Sequence, residues 1–394
     1  MNYKTVNKNL LLMKWINATA DAFFLIPILA LYYAGSKNMN MQDLFIIEAI
    51  FALSLVIMEV PSGWLSDVWQ RKSVLVVGSI IYAIGAFVMW LGQDFMGLAI
   101  SQILMGAGAS LISGTDSAIA YESLLADNRS NEYRKYEGER QAWGLYTLAG
   151  CSLIGGWLYT INPDLPAIMT AIIISISAVL AIFIVEPPRV KEIGHKNPFI
   201  DMAKTLKYIF HGHKEVACII LFSAILLSVT LSARWVEQGY LMALNIEPIW
   251  FGIVGGTALV TAATAGKYAH KIEEFVGVEI SVYLMFGITV TVLLVAGAQL
   301  SYVGIIMTMI ISAIFGYATP IINDAVNRRV GSGRRATVLS GMGLARRLIF
   351  VWLGPLTGHI IDTQGVQMAL IVLAIFLIMG GSFAIRCLIR NKII

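Results

Sequence analysis

Apolar runs close to 20 residues long recur from one end of this chain to the other, divided by short polar loops. Each matches the roughly 20 residues that a helix needs to cross about 30 Å of hydrocarbon. Only 13% of the residues are charged, whereas a soluble domain carries about 25%. With 58% hydrophobic residues and a mean hydropathy of +0.75, a chain folded in water would expose large apolar patches. The sequence therefore predicts an all-α membrane protein.

Twelve spans are expected, six near 10–33, 44–64, 73–92, 97–124, 139–161 and 166–186, and six near 215–240, 248–268, 279–299, 302–326, 337–361 and 366–388. The fourth and tenth are long enough to project past the bilayer. Placing the N-terminus in the cytoplasm puts every one of the 28 Lys and Arg residues on the cytoplasmic side except Lys37, Arg234, Arg346 and Arg347. That is the asymmetry expected of cytoplasmic loops, and a missed span would invert it. The net charge of +4 lies in these loops and is no nucleic-acid signal. The first run continues through Tyr33, so a retained span is expected rather than a cleaved signal peptide.

The one long hydrophilic stretch, Pro187 to Lys214, divides the spans six and six. The expected organisation is an N-terminal bundle over 1–187, a cytoplasmic linker over 188–214 and a C-terminal bundle over 215–394. Within the linker, Phe199, Met202, Ala203, Leu206 and Phe210 recur at helical spacing, which predicts a short amphipathic surface helix. The halves echo each other in Gly155-Gly156-Trp157-Leu158 and Gly354-Pro355-Leu356-Thr357-Gly358, and transporters built from such repeats bind substrate where the repeats meet. Cys151, Cys218 and Cys387 lie singly in apolar runs, at spacings that suggest neither a metal site nor a disulfide. Buried free thiols are expected.

A charge near the bilayer centre costs about 2.5–3.5 kcal/mol even on the insertion scale, so each one is a functional candidate. Asp21 falls near the middle of the first span, Asp116 on the fourth, Arg234 on the seventh, and Arg346 with Arg347 on the eleventh. Arg346 and Arg347 are about 100° apart on one helix, so they cannot point equally well into one cavity. Glu48 and Glu59 share a face of the second span, and Asp324 lies near the inner end of the tenth. A carboxyl removed from water disfavours its charged form, so Asp21 or Asp116 is the expected proton carrier. Trp15, Trp143, Tyr146, Trp235 and Tyr317 also enter the spans. Trp143 and Tyr146 are the preferred pair for substrate contact, because Gly144 between them lets a neighbouring helix come close. Glu237 is placed in the outer headgroup layer.

After the second span stands Gly63-Trp64-Leu65-Ser66-Asp67-Val68-Trp69-Gln70-Arg71-Lys72. It resembles the loop signature of the major facilitator superfamily, Gly-x-x-x-Asp-x-x-Gly-Arg-Arg/Lys. Glu59-Val60-Pro61-Ser62, Ser113-Gly114-Thr115-Asp116 and Arg335-Ala336-Thr337-Val338-Leu339-Ser340 resemble a bacterial, drug-efflux-like branch. The resemblance covers the whole chain. It implies two pseudo-symmetric six-helix bundles in the bacterial inner membrane, both termini cytoplasmic, rocking about a central site lined by the first, fourth, seventh and tenth spans. Asp21, Asp116 and Arg234 would then face that site. It also implies a gate in which Gly63 permits close helix approach and Asp67, Arg71 and Glu59 form a latch. A carboxylate on a helix N-terminus contributes about 0.3–1 kcal/mol to such a latch. Three positions depart from the pattern. Gln70 replaces the second Gly of the loop. Gln102 stands before Gly106-Ala107-Gly108 where drug–proton antiporters carry Arg, and Cys151-Ser152 replaces their fifth-span Gly-Pro.

The expected function is secondary transport of a small organic solute by alternating access, as proton-coupled efflux of amphipathic compounds by an antiporter. The alternative is uptake or export of a specific metabolite, siderophore or lipid-like molecule. The chain has no nucleotide-binding Gly-rich loop with Lys-Ser/Thr, and its five histidines form no cluster with acids that would suit an embedded enzyme. No cofactor and no metal are expected. The expected partners are membrane lipid, the solute and H+, with the chain acting as a monomer.

Overall fold

A computed structural model describes residues 2–188, 214–331 and 335–393. Every regular element among the described residues is helical, as the sequence predicts. The first half contains α1 (Tyr3–Ala20), a 3-10 turn (Ile26–Ile28), α2 (Leu29–Ser36), α3 (Met41–Val68) and α4 (Arg71–Leu91). It continues with α5 (Phe95–Ile112), α6 (Thr115–Leu125), α7 (Tyr133–Ile161) and α8 (Leu165–Ile182). The second half contains α9 (Lys214–Ala243), α10 (Pro248–Val276), α11 (Val278–Ala298), α12 (Tyr302–Asn327), α13 (Arg335–Gln364) and α14 (Val366–Arg390). Among the described residues, ten spans are long and apolar enough to cross a membrane, with α5 and α6 counted together. Helices α1 and α7, at the positions of the first and fifth expected spans, are not among those ten. The expected amphipathic helix at 199–210 lies outside the described residues.

The chain packs as two units, one made of Met1–Ile28 and Leu53–Phe199, the other of Leu29–Ala52 and Ile200–Ile394. In the first unit, α4 packs along α5 and α8, while α1 packs on α7 and α8. The α4–α5 seam is close because Gly78 and Gly108 face each other. A Cβ at Gly108 would come within 2.7 Å of the Gly78 carbonyl oxygen, the small-residue contact that lets membrane helices approach. Val6, Leu10, Met13 and Ile16 of α1 form the neighbouring core with Leu75, Ile119, Leu124 and Tyr136.

Two spans expected to be continuous are broken. The first stops at Asp21 and resumes after the Ile26–Ile28 turn. Pro27 disfavours helical backbone at Ile26. The amide of Phe24 that the break releases donates to Thr170 Oγ1 of α8 at 3.0 Å, and Gly155 of α7 leaves room for the Phe24 carbonyl. Broken backbone at membrane depth is tolerated where protein satisfies it in this way. The fourth span breaks at Ser113-Gly114, where Gly114 takes φ +82°, a conformation open chiefly to glycine. The long fourth span expected from the sequence is thus two helices, and α6 opens on Thr115-Asp116.

In the second unit, α9 packs against α12, α13 and α14. Its apolar stretch is 83% buried, against 28–50% for the other nine, so it is surrounded by protein rather than lipid. Residues 29–52 dock on it: Gln238 accepts the Ala30 amide at 2.8 Å. Asp362 of α13 accepts the Met41 and Gln42 amides at 3.1 and 2.7 Å, a carboxylate on the positive N-terminal end of α3. The cysteine expectation needs correction. Cys151 is a buried free thiol, but Cys218 and Cys387 are bonded, with Cα atoms 5.6 Å apart. They are 169 residues apart in sequence, and only the packing of α9 on α14 brings them together.

Gly316 of α12 lies against the backbone of α10, where a Cβ would meet the Ala262 Cα at 2.8 Å and the carbonyl carbon at 2.6 Å. Backbone cannot rotate away as a side chain can. Gly316→Ala is therefore expected to destabilise the protein by about 1–3 kcal/mol, the cost of overpacking, seen as a lower thermal unfolding midpoint in detergent.

Candidate functional site

The polar content of α1 and α7 converges on one guanidinium. Arg140, buried near the start of α7, donates from Nη1 to Asp116 Oδ2 at 2.5 Å and to Asn17 Oδ1 at 2.7 Å. Its Nε and Nη2 donate to the two oxygens of Glu137 at 3.0 and 2.7 Å, the bidentate geometry that suits a guanidinium. Asp116 is buried in the first turn of α6 and accepts the Ser117 amide at 2.6 Å. The Gly114 break thus gives this carboxylate a helix N-terminus as well as a cation. Asn17 extends the network along α1, donating to Asp21 Oδ2 at 3.0 Å and to the Arg140 carbonyl at 3.3 Å. Asp21 ends α1 and is exposed. Gly144 is buried where Asp21 and Asn17 abut α7, so that a Cβ there would collide with both side chains. Asp116 and Glu137 therefore share one cation, and Asn17 links Asp21 to it, across three helices.

The sequence placed Asp21 and Asp116 at the site, and the structure joins them through Asn17 and Arg140. It missed Arg140, Asn17 and Glu137. Arg140 stands at the cytoplasmic edge of the expected fifth span, among the basic residues that set orientation, and α7 begins at Tyr133, more than a turn before that span. The signal for Asn17 was its place four residues before Asp21, on the same helical face.

Trp143 and Tyr146 do not form a pair. Trp143 packs edge-on against Trp15 of α1, ring centroids 5.1 Å apart, while Tyr146 is 77% exposed. Lys14 lies over the Tyr136 and Trp143 rings and forms an ion pair with Glu139 at 2.5 Å. These three helices also border a cavity of about 270 Å³ that Lys14, Tyr136 and Glu139 help to line.

In the second unit Arg234 is half-buried on α9, its guanidinium 5.9 Å from the centre of the Phe315 ring. Arg346 is half-buried on α13, its carbonyl accepting from Ser228 Oγ of α9 at 2.8 Å. Its Nε is buried with no hydrogen-bond partner among the described residues. Arg347 is also half-buried. Glu237 is buried on α9, whose apolar stretch is largely enclosed by protein. Asp324 is paired with Arg328 at 2.5 Å on an exposed surface.

A Cβ at Gly63 would meet nothing within 4 Å among the described residues. Asp67 is exposed near the end of α3. The N-terminus of α4 is held by Glu186, which accepts the Arg71 and Lys72 amides at 3.0 and 2.7 Å. The Arg71 side chain reaches Glu122 of α6 at 2.9 Å. Glu59 is half-buried on α3, where its carbonyl accepts from Ser62 Oγ at 3.1 Å.

The family model of the Major Facilitator Superfamily matches residues 10–352. The chain belongs to this superfamily. The MFS-type transporter YxaM of Bacillus subtilis is 24% identical over 89% of this chain and 88% of its own length. Some relatives match only locally. A transporter of Buchnera aphidicola subsp. Baizongia pistaciae is 28% identical over 107 residues, 27% of either chain. Among solved structures, the nucleoside transporter NupG superposes with a TM-score of 0.78 at 12% identity, covering 98% of this chain and 99% of NupG. A bacterial homologue of the lysosomal transporter Spinster does so with 0.78 at 15% identity, covering 99% of both chains. At these identities the superpositions establish the superfamily fold and nothing about the solute. The protein is a multi-pass membrane transporter of the MFS type.

Proposed function

We propose that the chain is a secondary transporter that moves a small organic solute by alternating access, driven by protons. The supporting observation is the network around Arg140. Asp21, Asp116 and Glu137 can carry three negative charges around one guanidinium, Asp21 being linked to it through Asn17. Uncompensated charge in an apolar medium tends to be neutralised, and a proton is the smallest ion that can do so. Exposed Asp21, linked through Asn17 to buried Arg140 and Asp116, is the proton-accepting end. Trp15, Trp143 and Tyr146 on the adjoining faces of α1 and α7 supply apolar contact for an amphipathic solute. Arg71 with Glu122, Glu186 on the α4 amides, and Asp67 with Glu59 nearby form the latch. We place both termini in the cytoplasm and the protein in the inner membrane, on the distribution of its Lys and Arg residues. The protein acts as a monomer, by export.

The test is counterflow in proteoliposomes. Vesicles preloaded with one amphipathic compound of a panel should accumulate the labelled form without net flux, and an imposed pH gradient should drive net movement. Labelled solute that only equilibrates, as through a channel, would overturn alternating access.

A further inference from the structure

Cys218 and Cys387 are bonded at a place where disulfides are seldom permanent. Cys218 lies in the second turn of α9, which starts at Lys214, and Cys387 in the last turn of α14, which ends at Arg390. Both helix ends belong to the second unit. The orientation proposed above puts them at the cytoplasmic surface, where cellular thiols keep most cysteines reduced and a disulfide is ordinarily transient or redox-sensing. The surroundings suit a bond that opens. Cys218 is buried and Cys387 half-buried, so an incoming thiol meets Cys387 first. Asn391, just past the end of α14, donates from Nδ2 to Cys218 Sγ at 3.3 Å and reaches Cys387 Sγ at 3.8 Å. The same Nδ2 donates to the Cys387 carbonyl at 2.8 Å, which fixes the amide beside both sulfurs. A hydrogen bond to a charged group favours that form, and the shorter distance makes Cys218 the sulfur that leaves as thiolate. Arg386 and Arg390 flank Cys387 in sequence and are exposed, so the approach favours an anionic thiol. Cys151 is a buried free thiol and takes no part.

We propose that Cys218 and Cys387 form a reversible thiol–disulfide site, opened by low-molecular-weight thiols of the cytoplasm and closed by peroxide, which fastens the start of α9 to the end of α14. This goes beyond the transporter reading and rests on its orientation alone. In opening, a thiolate such as that of glutathione attacks Cys387 Sγ. The S–S bond breaks, and Cys218 leaves as a thiolate beside Asn391 and takes up a proton. A second glutathione thiolate attacks the mixed disulfide, releasing Cys387 and glutathione disulfide, so two thiols have supplied the two electrons. In closing, the Cys387 thiolate attacks hydrogen peroxide and becomes a sulfenic acid, and the departing hydroxide takes the thiol proton to form water. Cys218 then displaces a second water from the sulfenic sulfur and the bond forms. The bond spans 169 residues of sequence, and such a cross-link restricts the unfolded chain, so the closed form is the more stable.

Purified protein in nanodiscs is equilibrated in graded mixtures of glutathione and glutathione disulfide, quenched in acid, denatured and treated with a polymer-linked maleimide. The closed form takes one label, at Cys151, and the open form takes three. The count should pass from one to three as glutathione replaces its disulfide, and the open form should unfold at a lower temperature. Cys218→Ser should lose the redox dependence of its unfolding midpoint. Asn391→Ala should slow opening about 2- to 10-fold, as expected for one hydrogen bond. In sealed membranes, an impermeant phosphine should open the bond in inverted vesicles and not in right-side-out ones. A bond that stays closed in glutathione alone is a permanent staple and overturns the proposal. So does a pair that takes three labels in glutathione disulfide alone, a midpoint equal in the two forms, or opening from the outer side. The label count is read on the unsubstituted protein, so the result stands even where a variant fails to fold. None of these readouts involves solute, so a fixed bond leaves the carrier intact, and a failed counterflow leaves the redox site standing.

Discussion

Arg140→Gln is expected to destabilise the protein by about 3–5 kcal/mol, the penalty for removing one partner of a buried ion pair. The substitution leaves Asp116 buried against Ser117 and strips Glu137 of both its guanidinium bonds. The magnitude discriminates between explanations. Interhelical hydrogen bonds in membranes contribute only about 0.6–2 kcal/mol each, so a larger loss reports stranded charge. Arg140→Lys keeps the charge but not the fork that holds Asn17, Asp116 and Glu137 together, and should fall between the two. Adding Asp116→Asn to Arg140→Gln should recover part of the loss, because the second change removes the carboxylate that the first one stranded. The coupling in such a cycle measures the pair directly. Unfolding midpoints unchanged in Arg140→Gln would mean that the network does not bind α1, α6 and α7 to one another.

How far the sequence discloses this site follows from its physics. The all-helical class and the positions of most spans follow from run length, because lipid enforces about 20 apolar residues wherever a helix crosses. Asp21 and Asp116 were legible for the same reason, as charges within apolar runs. Arg140 was not, since it lies at the edge of its apolar run and reads as one more basic loop residue. Only the pairing of α7 with α1 and α6 reveals that it is buried. The two breaks could have been read. Pro27 punctuates the first span, and Ser113-Gly114-Thr115-Asp116 is a helix stop followed by a helix start, although strong flanking hydropathy masks both. The Cys218–Cys387 bond was invisible because nothing local relates residues 169 apart.

Asp21→Asn should leave the fold intact and remove the proton drive. The side chain is exposed, and among the described residues it takes part in one hydrogen bond, from Asn17. An asparagine oxygen can still accept that bond, so a cost within about 1 kcal/mol is expected. What asparagine cannot do is gain and lose a proton. In proteoliposomes the variant should still exchange solute in counterflow, while solute movement driven by an imposed pH gradient falls about 10-fold or more, a change of about 1.4 kcal/mol in driving interaction. Asp116→Asn should behave differently, because Asp116 pairs directly with Arg140, and its loss should lower the unfolding midpoint as well as transport. The contrast separates a proton carrier from a structural partner within one network. Should Asp21→Asn respond to the pH gradient as the unsubstituted protein does, Asp21 is not the coupling group. Proton uptake would then have to pass through Asp116 or Glu137, the two carboxylates that Arg140 holds.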